Sequence, residues 1–269
     1  MTEAQRRWRP TVFIRLSLAL HLLAALVLIA APSLWPWALG AVIGNHVLIA
    51  LAGLWPRSHW LGPNWSRLPA AAAARHEIAL TIDDGPDPVV TPQVLELLER
   101  YGAKATFFCI GARAAQYPEL CRDIVRRGHA VENHSQHHWH NFSLLGPAGF
   151  AREITAAQHT LSAITGQPPG FFRAPAGLRN PFLQPVLARL GLRLASWSVR
   201  GFDTCTRDAP TVKKRLLRGL SAGAIVLLHD GNAARTSAGQ PVILQVLPAV
   251  LQCAADAGLR CVTLRAAAL

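Results

Sequence analysis

The chain has 269 residues, enough for one α/β barrel of about 200 residues and an appendage. Its net charge is +12, but it has no run of five basic residues and no interleaving of basic and aromatic side chains, so nucleic acid is not expected as a partner. Its five cysteines lack CxxC spacing and indicate neither a disulfide framework nor a thiolate zinc site, so we expect buried thiols of a reducing compartment.

The chain is more apolar than is usual for a soluble enzyme, and the additional apolar residues are concentrated in the first 55 positions. No charged residue occurs from Leu16 to Ala31, and a second apolar stretch runs from Leu34 to Leu54. Extended back to Val12, past Arg15, the first stretch has roughly the 20 residues that a helix needs to cross about 30 Å of hydrocarbon, and the second stretch is of similar length. The sequence therefore predicts two transmembrane helices, at about residues 12–31 and 34–55, joined by a tight turn at Pro32. A cleaved signal peptide is the competing interpretation, and the second stretch argues against it.

Basic residues flank this predicted hairpin on both outer sides and are absent from its turn. They are Arg6, Arg7, Arg9 and Arg15 before it, and Arg57, Arg67 and Arg75 after it. The positive-inside rule then predicts a multi-pass protein of the inner membrane with both termini in the cytoplasm, and basic residues beside apolar helices favour anionic lipid or phosphorylated glycolipid as partners. His21 and His46 lie within the spans, and we expect neutral imidazoles hydrogen-bonded across the hairpin.

Residues 1–75 are predicted to form a membrane anchor that ends in a linker containing Pro63, Pro69 and the alanine run 70–74. From residue 76 to 269, short apolar strands alternate with amphipathic helices. The predicted strands are Ile78–Ile82, Ala105–Ile110, Ala130–Asn133, Gly170–Arg173, Leu192–Val199, Ala224–Leu228 and Cys261–Leu264. Thr91 is expected to cap the helix after the first strand, and another helix covers Phe150–Ile164. This βα alternation predicts a parallel sheet, open or closed into a barrel, with active-site residues at the carboxyl ends of the strands.

Two polar motifs directly follow predicted strands. In TIDDGPDP, adjacent Asp83 and Asp84 should point in opposite directions, so that one binds a metal while the other faces a substrate; a simple turn is the alternative. In ENHSQHHWH, His134 and His138 are four residues apart, which would place both on one side of a helical turn and within reach of one metal. A pair of His134 with His137 is also sterically possible, and His140 is either a supporting or a surface residue.

Three further motifs carry single polar residues at strand ends. FFRAPAG contains Arg173, whose guanidinium can hold a carboxylate bidentately and keep it ionised. WSVRGFDT has Trp197 within a predicted strand and Asp203 just beyond it. IVLLHDG ends an apolar strand with His229, a candidate general acid. Each of these residues, taken singly, could equally have a structural role.

Together and in this order, the five motifs resemble those of the polysaccharide deacetylases, the NodB-type carbohydrate esterases of family four. The resemblance spans about Glu77 to Leu264. It implies an α/β fold for residues 76–269, a distorted (β/α) barrel of about seven strands. It also implies metal-dependent hydrolysis that removes the acyl group from the nitrogen of an N-acylated amino sugar in a polysaccharide, oligosaccharide or lipid-linked glycan.

The resemblance further implies a role for each motif residue. A divalent metal, commonly zinc, would be held by Asp84, His134 and His138. The implied catalytic residues are the general base Asp83, Arg173 which orients it, the general acid His229 and Asp203 which holds His229. The implied substrate-binding residues are Pro175, Trp197 and Leu227 around the acyl methyl group, with Ala176 placing a backbone N–H near the developing oxyanion.

Departures from the family pattern bear on the substrate. Ile82 stands where phenylalanine is usual, Ala176 where an aromatic residue commonly lines the sugar groove, and Thr204 where tryptophan follows the aspartate. Such a groove should stack sugar rings less well, which favours a short or lipid-linked saccharide over chitin or peptidoglycan. The alternatives are deformylation of an undecaprenyl-linked amino sugar, a catalytically silent carbohydrate-binding domain, and hydrolysis of a peptide or lipid amide.

Overall fold

The structure, a computed structural model, describes residues 8–269 as helices and short parallel strands in alternation. The helices are α1 (Val12–Ala30), α2 (Trp35–Leu54), α3 (Ala70–Ala74), α4 (Val90–Arg100), α5 (Gly111–Gln116), α6 (Pro118–Arg126), α7 (Pro147–Thr165), α8 (Leu183–Leu190), α9 (Ala209–Arg218), α10 (Val242–Asp256) and α11 (Leu264–Ala267). The strands are β1 (Glu77–Asp83), β2 (Ala105–Cys109), β3 (Ala130–Asn133), β4 (Phe171–Phe172), β5 (Arg193–Leu194), β6 (Val199–Arg200), β7 (Ile225–His229) and β8 (Arg260–Cys261).

The sheet is a curled, incompletely closed barrel of parallel strands in the order β5-β4-β3-β2-β1-β7-β6, with β8 paired to the start of β1. The two outermost strands, β5 and β6, are consecutive in the chain, so the edges of the sheet approach each other. Trp65 covers part of this gap, because its N–H donates to Leu194 O and its carbonyl accepts from Ser196 N. The predicted distorted (β/α) barrel is confirmed.

Strand β1 shows how the sequence positions the site. Ile78, Leu80 and Ile82 pack into the core between the sheet and the surrounding helices. The alternate residues face the barrel interior, where Ala79 belongs to a second apolar cluster with Trp197 and Leu227. By the same period of two, Thr81 and Asp83 point inward, and Asp83 is the last residue of the strand. Strand β1 therefore contributes apolar side chains to the core on one face and directs polar side chains into the barrel interior on the other.

Some predicted local structure is wrong. The predicted strand Leu192–Val199 is two short strands, β5 and β6, and Trp197 lies in the connection between them. Thr91 lies inside α4 and does not cap it. The first N–H groups of this helix are instead satisfied by Asp87, whose Oδ1 accepts from Val89 N and Val90 N, both at 2.8 Å. Among the cysteines, Cys205 is exposed rather than buried.

The two N-terminal helices form a hairpin, and both are long and apolar enough to cross a membrane. Asn45 Nδ2 donates to Ser17 Oγ across the hairpin at 2.8 Å. The expected hydrogen bonds of the two histidines across the hairpin are not made: His21 and His46 each donate from Nδ1 to a carbonyl of their own helix, and their rings pack edge to face at 5.1 Å. Arg6 and Arg7 lie outside the described residues.

The segment predicted to be a linker is an ordered part of the domain. Leu68 N donates to Gly223 O at 2.9 Å, and Ala72, in α3, is fully buried in the apolar cluster of the barrel interior. A short helix forms here because alanine has the highest helix propensity and its small side chain fits against the sheet. The hairpin is therefore joined to the barrel by a segment that packs against the sheet.

The C-terminal helix α11 is fastened to the sheet through a buried carboxylate. Glu132 is fully buried; its Oε2 accepts from Gly170 N and Phe171 N, and its Oε1 accepts from Arg265 Nε. We expect Arg265→Ala to lower the free energy of unfolding by about 3 kcal/mol, because it leaves this carboxylate without its counter-charge. Thermal unfolding in detergent measures the loss. Arg260→Ala is the matched control, because Glu77 keeps a second arginine partner, Arg75; equal midpoints for both variants would contradict the expectation.

Candidate metal centre and active site

The carboxyl ends of the parallel strands bring the polar motifs to one edge of the barrel. Asp83 at the end of β1 is in register with His229 at the end of β7. His134 follows β3, and Arg173 follows β4. Asp83, His134 and His229 line a cavity of about 590 Å³, and Arg173 lies fully buried beside it. Residues far apart in the chain thus meet where the fold class places active sites.

Three side chains at this edge can hold a metal ion. Asp84 Oδ1 lies 3.2 Å from His134 Nε2 and 3.2 Å from His138 Nε2. The ligand atoms of all three residues lie within 4.8 Å of one another. The expected helical turn between the histidines is absent; Ser135 and His138 instead adopt left-handed conformations, with φ of 65° and 54°, and the loop folds back on itself.

Asp84 also departs from the strand geometry expected for adjacent carboxylates. Its φ is 73°, so the chain turns sharply after β1 and the carboxylates of Asp83 and Asp84 face the same cavity. His134 Nε2 lies 3.8 Å from Asp83 Oδ2 as well as 3.2 Å from Asp84 Oδ1. The two carboxylates were expected to point in opposite directions, but both face the cavity.

Surrounding hydrogen bonds orient two of the three ligands. His134 Nδ1 donates to Arg173 O at 2.9 Å, which turns Nε2 toward Asp84. Asn232 Nδ2 donates to Asp84 Oδ2 at 3.1 Å. With His138 Nε2 as the third ligand atom, one oxygen and two imidazole nitrogens fit a divalent metal such as zinc.

The pKa shifts of the three ligands differ in direction. Burial alone would raise the pKa of the Asp84 carboxyl, but the hydrogen bond from His134 and the charges of His134 and His229 hold that pKa well below its usual range. Burial and the adjacent His134 lower the pKa of His138 to about 4, so its ring is neutral at physiological pH. Burial opposes the charged form of His134, but the carboxylates of Asp83 and Asp84 raise its pKa, so an ion that binds there would displace a proton from this ring.

Arg173 holds Asp83 through a single nitrogen rather than by the bidentate contact that was expected. Its Nη1 donates to Asp83 Oδ1 at 2.6 Å and to Thr81 Oγ1 at 2.8 Å. Its other nitrogens donate to the carbonyls of Ala195 and Ser196. Because Arg173 is fully buried, this pairing fixes the position of Asp83 and places a positive charge beside it.

His229 lies on the opposite side of the cavity and is held by Asp203. Asp203 Oδ1 accepts from His229 Nδ1 at 2.9 Å, and Oδ2 accepts from His229 N at 2.8 Å. Burial opposes the charged imidazole, but Asp203, with Asp83 and Asp84, outweighs it and raises the pKa of His229 to about 9. At neutral pH the ring is protonated, and Nε2 is left free of Asp203 to act on a ligand.

The structure brings together most of the residues expected to bind substrate. Ala176, Trp197 and Leu227 line the cavity, whereas Pro175 is buried without lining it. His137 and His140 also line the cavity, and His137 Nδ1 contacts Glu153 Oε1 at 2.8 Å.

The structure also places residues at the site that sequence reasoning missed. Arg113, Arg200 and Asn232 line the cavity. Arg113 Nη1 donates to Asp84 O at 2.7 Å, and its Nη2 donates to Asn232 Oδ1 at 3.0 Å. Arg200 and Asn232 lie within or beside motifs already singled out, whereas Arg113 follows β2, a strand end that carries no motif.

Comparison with known proteins places the chain in a family. The family model described as polysaccharide deacetylase matches residues 70–195. A chitooligosaccharide deacetylase of Bradyrhizobium is 39% identical over 155 residues, which cover 57% of this chain and 70% of that protein. A peptidoglycan-N-acetylglucosamine deacetylase of Listeria monocytogenes is 38% identical over 159 residues, 59% of this chain and 33% of that protein.

A solved structure agrees with the sequence relatives. The family 4 carbohydrate esterase from Streptomyces lividans, solved in complex with acetate, superposes with a TM-score of 0.62 and 33% identity, covering 69% of this chain and 91% of that one. The chain therefore belongs to the polysaccharide deacetylase family, the carbohydrate esterases of family four.

Proposed function

We propose that this protein hydrolyses the N-acyl group, acetyl in the first instance, of an amino sugar in a short or lipid-linked glycan. The observation that carries the proposal is the cavity, in which the Asp83 carboxylate and the protonated His229 flank the three ligand atoms of Asp84, His134 and His138. A base, an acid and a metal centre around one cavity are the components of metal-assisted amide hydrolysis.

Asp84, His134 and His138 would hold the metal. A divalent ion bound there, zinc by its preference for nitrogen and oxygen ligands, lowers the pKa of water and polarises the acyl carbonyl. Asp83 accepts the proton of the attacking water, whose oxygen bonds to the acyl carbon. Arg173 fixes the direction of the Asp83 carboxylate. A backbone N–H near Ala176 would stabilise the negative oxygen that develops on the acyl group.

His229 completes the reaction as the general acid. When the bond between the acyl carbon and the nitrogen breaks, His229 donates its proton to the nitrogen, and the products are a carboxylic acid and a free amino sugar. Asp203 holds the ring by Nδ1, which directs Nε2 toward the leaving nitrogen. Trp197 and Leu227 would surround the acyl methyl group, because both are apolar and line the cavity.

The position of the hairpin supports a substrate at a membrane surface. Gly177, in the loop after β4, lies against both Pro56, just beyond α2, and the cavity residue Trp197: a Cβ on Gly177 would meet them at 2.9 Å and 2.5 Å. Arg179 N also donates to Gly53 O of α2 at 3.2 Å. If residues 1–75 anchor the chain through α1 and α2, the cavity opens beside the lipid, within reach of a lipid-linked saccharide.

The flanking arginines favour a multi-pass arrangement with the domain of residues 76–269 on the cytoplasmic face of the inner membrane. Reporter proteins fused to each terminus, one active only in the cytoplasm and one only outside it, test this topology. Cytoplasmic activity at both ends is expected; activity outside the cytoplasm at both ends would contradict it.

Release of acetate or formate from a panel of N-acylated glycans tests the proposed activity. The full-length protein, purified in detergent, is incubated with neutral oligosaccharides, lipid-linked sugars and a peptide amide. We expect acetate from at least one N-acetylated sugar and none from the peptide amide. Formate alone would identify a deformylase, and tight metal binding with no release would favour a silent binding domain.

The pH profile tests the role of Asp203. Because His229 acts in its protonated form, kcat/KM should decline as pH rises through the pKa of His229, about 9 in the wild type. Asp203→Asn removes the charge that raises this pKa, so we expect the decline to begin at least about one pH unit lower. The exposed helix cap Asp208 provides the control variant Asp208→Asn. An unchanged alkaline limb in Asp203→Asn would contradict the assignment.

A further inference from the structure

We propose that Arg200 makes the cavity selective for a substrate that carries an anionic group, a carboxylate or a phosphate, on or next to the acylated sugar. This inference rests on the proposed deacylation and deepens it by naming the charge of the substrate. Arg200 lines the same cavity as Asp83 and His229.

The register of the sheet places Arg200 close to the centre of the site. Arg200 in β6 pairs with Leu227 in β7, and both residues line the cavity. His229 lies two residues further along the same face of β7. Strand spacing and rise then put the Cα atoms of Arg200 and His229 about 8 Å apart. An arginine side chain at that position reaches groups one sugar ring or less from the acylated nitrogen.

Two aromatic rings hold the Arg200 guanidinium in place. Its central carbon lies 5.3 Å from the ring centroid of Trp197 and 4.8 Å from that of Phe202. Phe202 has φ of 62°, which turns the chain back after β6, and its ring is half-exposed. Cation–π contacts of this length restrict the guanidinium without using its hydrogen-bond donors.

Those donors are free for a ligand. Among residues 8–269, Arg200 forms no ion pair with a carboxylate, and its Nε is buried without a hydrogen-bond partner. The other arginines at the site differ, because Arg113 is engaged with Asp84 O and Asn232, and Arg173 with Asp83. An unpaired, partly desolvated guanidinium is a strong site for carboxylate or phosphate oxygens.

The rest of this rim adds positive rather than negative charge. The central guanidinium carbon of Arg215, in α9, lies 5.6 Å from the ring centroid of Phe202, which is on the loop that follows β6. The carboxylates that line the cavity are Asp83 and Asp84, each already paired with cationic or metal-binding groups. An anionic substituent near Arg200 would therefore meet net attraction.

The test compares three short N-acetylated oligosaccharides of equal length: one neutral, one bearing a carboxylate and one bearing a phosphate. For the full-length wild type in detergent, we expect KM for at least one charged substrate to be about 10- to 100-fold below that of the neutral one. Arg200→Gln should raise KM for that charged substrate to about the value for the neutral one, and Arg200→Lys should retain part of the preference. Which charged substrate shows the effect distinguishes a sugar carboxylate from a phosphate linkage.

Arg207→Gln is the matched control, because it removes the same charge from an exposed position on the loop that follows β6, outside the cavity. It should keep the wild-type preference. Equal KM for all three substrates in the wild type, with acetate released, would overturn this inference alone. An equal loss of turnover on all three substrates in Arg200→Gln would overturn it too, since Arg200 would then only pack against Trp197. No acetate from any substrate would remove the proposed function and this inference together.

Discussion

Asp83→Asn is expected to lower kcat for deacetylation by about a thousandfold while metal binding is kept. The asparagine retains the shape of the side chain and an oxygen that can accept from Arg173, but it cannot take a proton from water. Steady-state acetate release and the metal content of the purified variant measure the two effects separately. A variant that retains more than a tenth of wild-type kcat would rule out Asp83 as the general base.

Thr81→Val separates the chemistry of Asp83 from the packing around Arg173. Thr81 is buried, accepts from the same Arg173 nitrogen and donates to Val226 O at 2.8 Å. Its loss should cost about 2 kcal/mol of stability, because two buried hydrogen bonds are broken. Because the Asp83 carboxylate remains, we expect less than a tenfold loss of kcat. Equal losses in both variants would mean that disturbed packing explains the effect.

His134→Gln should reduce zinc affinity by at least about a hundredfold and lower activity to the level of the metal-stripped protein. The substitution removes one of the three atoms that can bind the ion, and losses of 10- to 100-fold are typical even for residues that only support a ligand. Zinc should also raise the unfolding temperature of the wild type and not of the variant, because an ion that binds the folded state stabilises it.

His137→Gln is the control for this experiment. His137 lies one residue before the ligand His138 and lines the cavity, but its Nδ1 contacts Glu153 and it is not one of the three clustered ligands. Zinc affinity in this variant should match the wild type. If His137→Gln lost zinc as His134→Gln does, the ligand pair would be His134 with His137, the alternative that the sequence left open.

Residues whose position follows from strand periodicity and strand ends could be predicted from sequence. Asp83 and His229 each end an apolar strand and Arg173 directly follows one. Because parallel strands end at one edge, the meeting of these residues follows from the βα pattern. The five motifs in order indicated the family, and the comparisons confirm it. The distorted barrel followed from that resemblance, because periodicity does not distinguish an open sheet from a closed one.

Features that depend on irregular backbone could not be predicted. Asp84 and His138 reach the metal centre through left-handed residues, a conformation that non-glycine side chains seldom adopt and that no spacing rule anticipates. The predicted strand around Trp197 is interrupted because the two edges of the curled sheet, β5 and β6, lie on either side of it. This interruption depends on the curvature of the whole sheet rather than on local composition. Tertiary contacts such as that of Gly177 with Pro56 involve residues too far apart in the chain for any local pattern to predict.

The contact between hairpin and barrel bears on how the protein is handled in experiments. Arg179 Nη2 donates to the carbonyl of Ser58, and Asn64 Nδ2 donates to the carbonyl of Pro56 at 2.8 Å. Because the loop from Pro175 to Arg179 borders the cavity, the segment after α2 supports the wall of the site. The assays above therefore use the full chain in detergent.

Titration of the metal-stripped protein with zinc, with acetate release and bound zinc measured in the same samples, tests whether Asp84, His134 and His138 hold an ion on which hydrolysis depends. Activity should be absent without metal, rise in proportion to bound zinc and reach its maximum at about one ion per chain. Undiminished acetate release from protein shown to be free of metal would contradict the account.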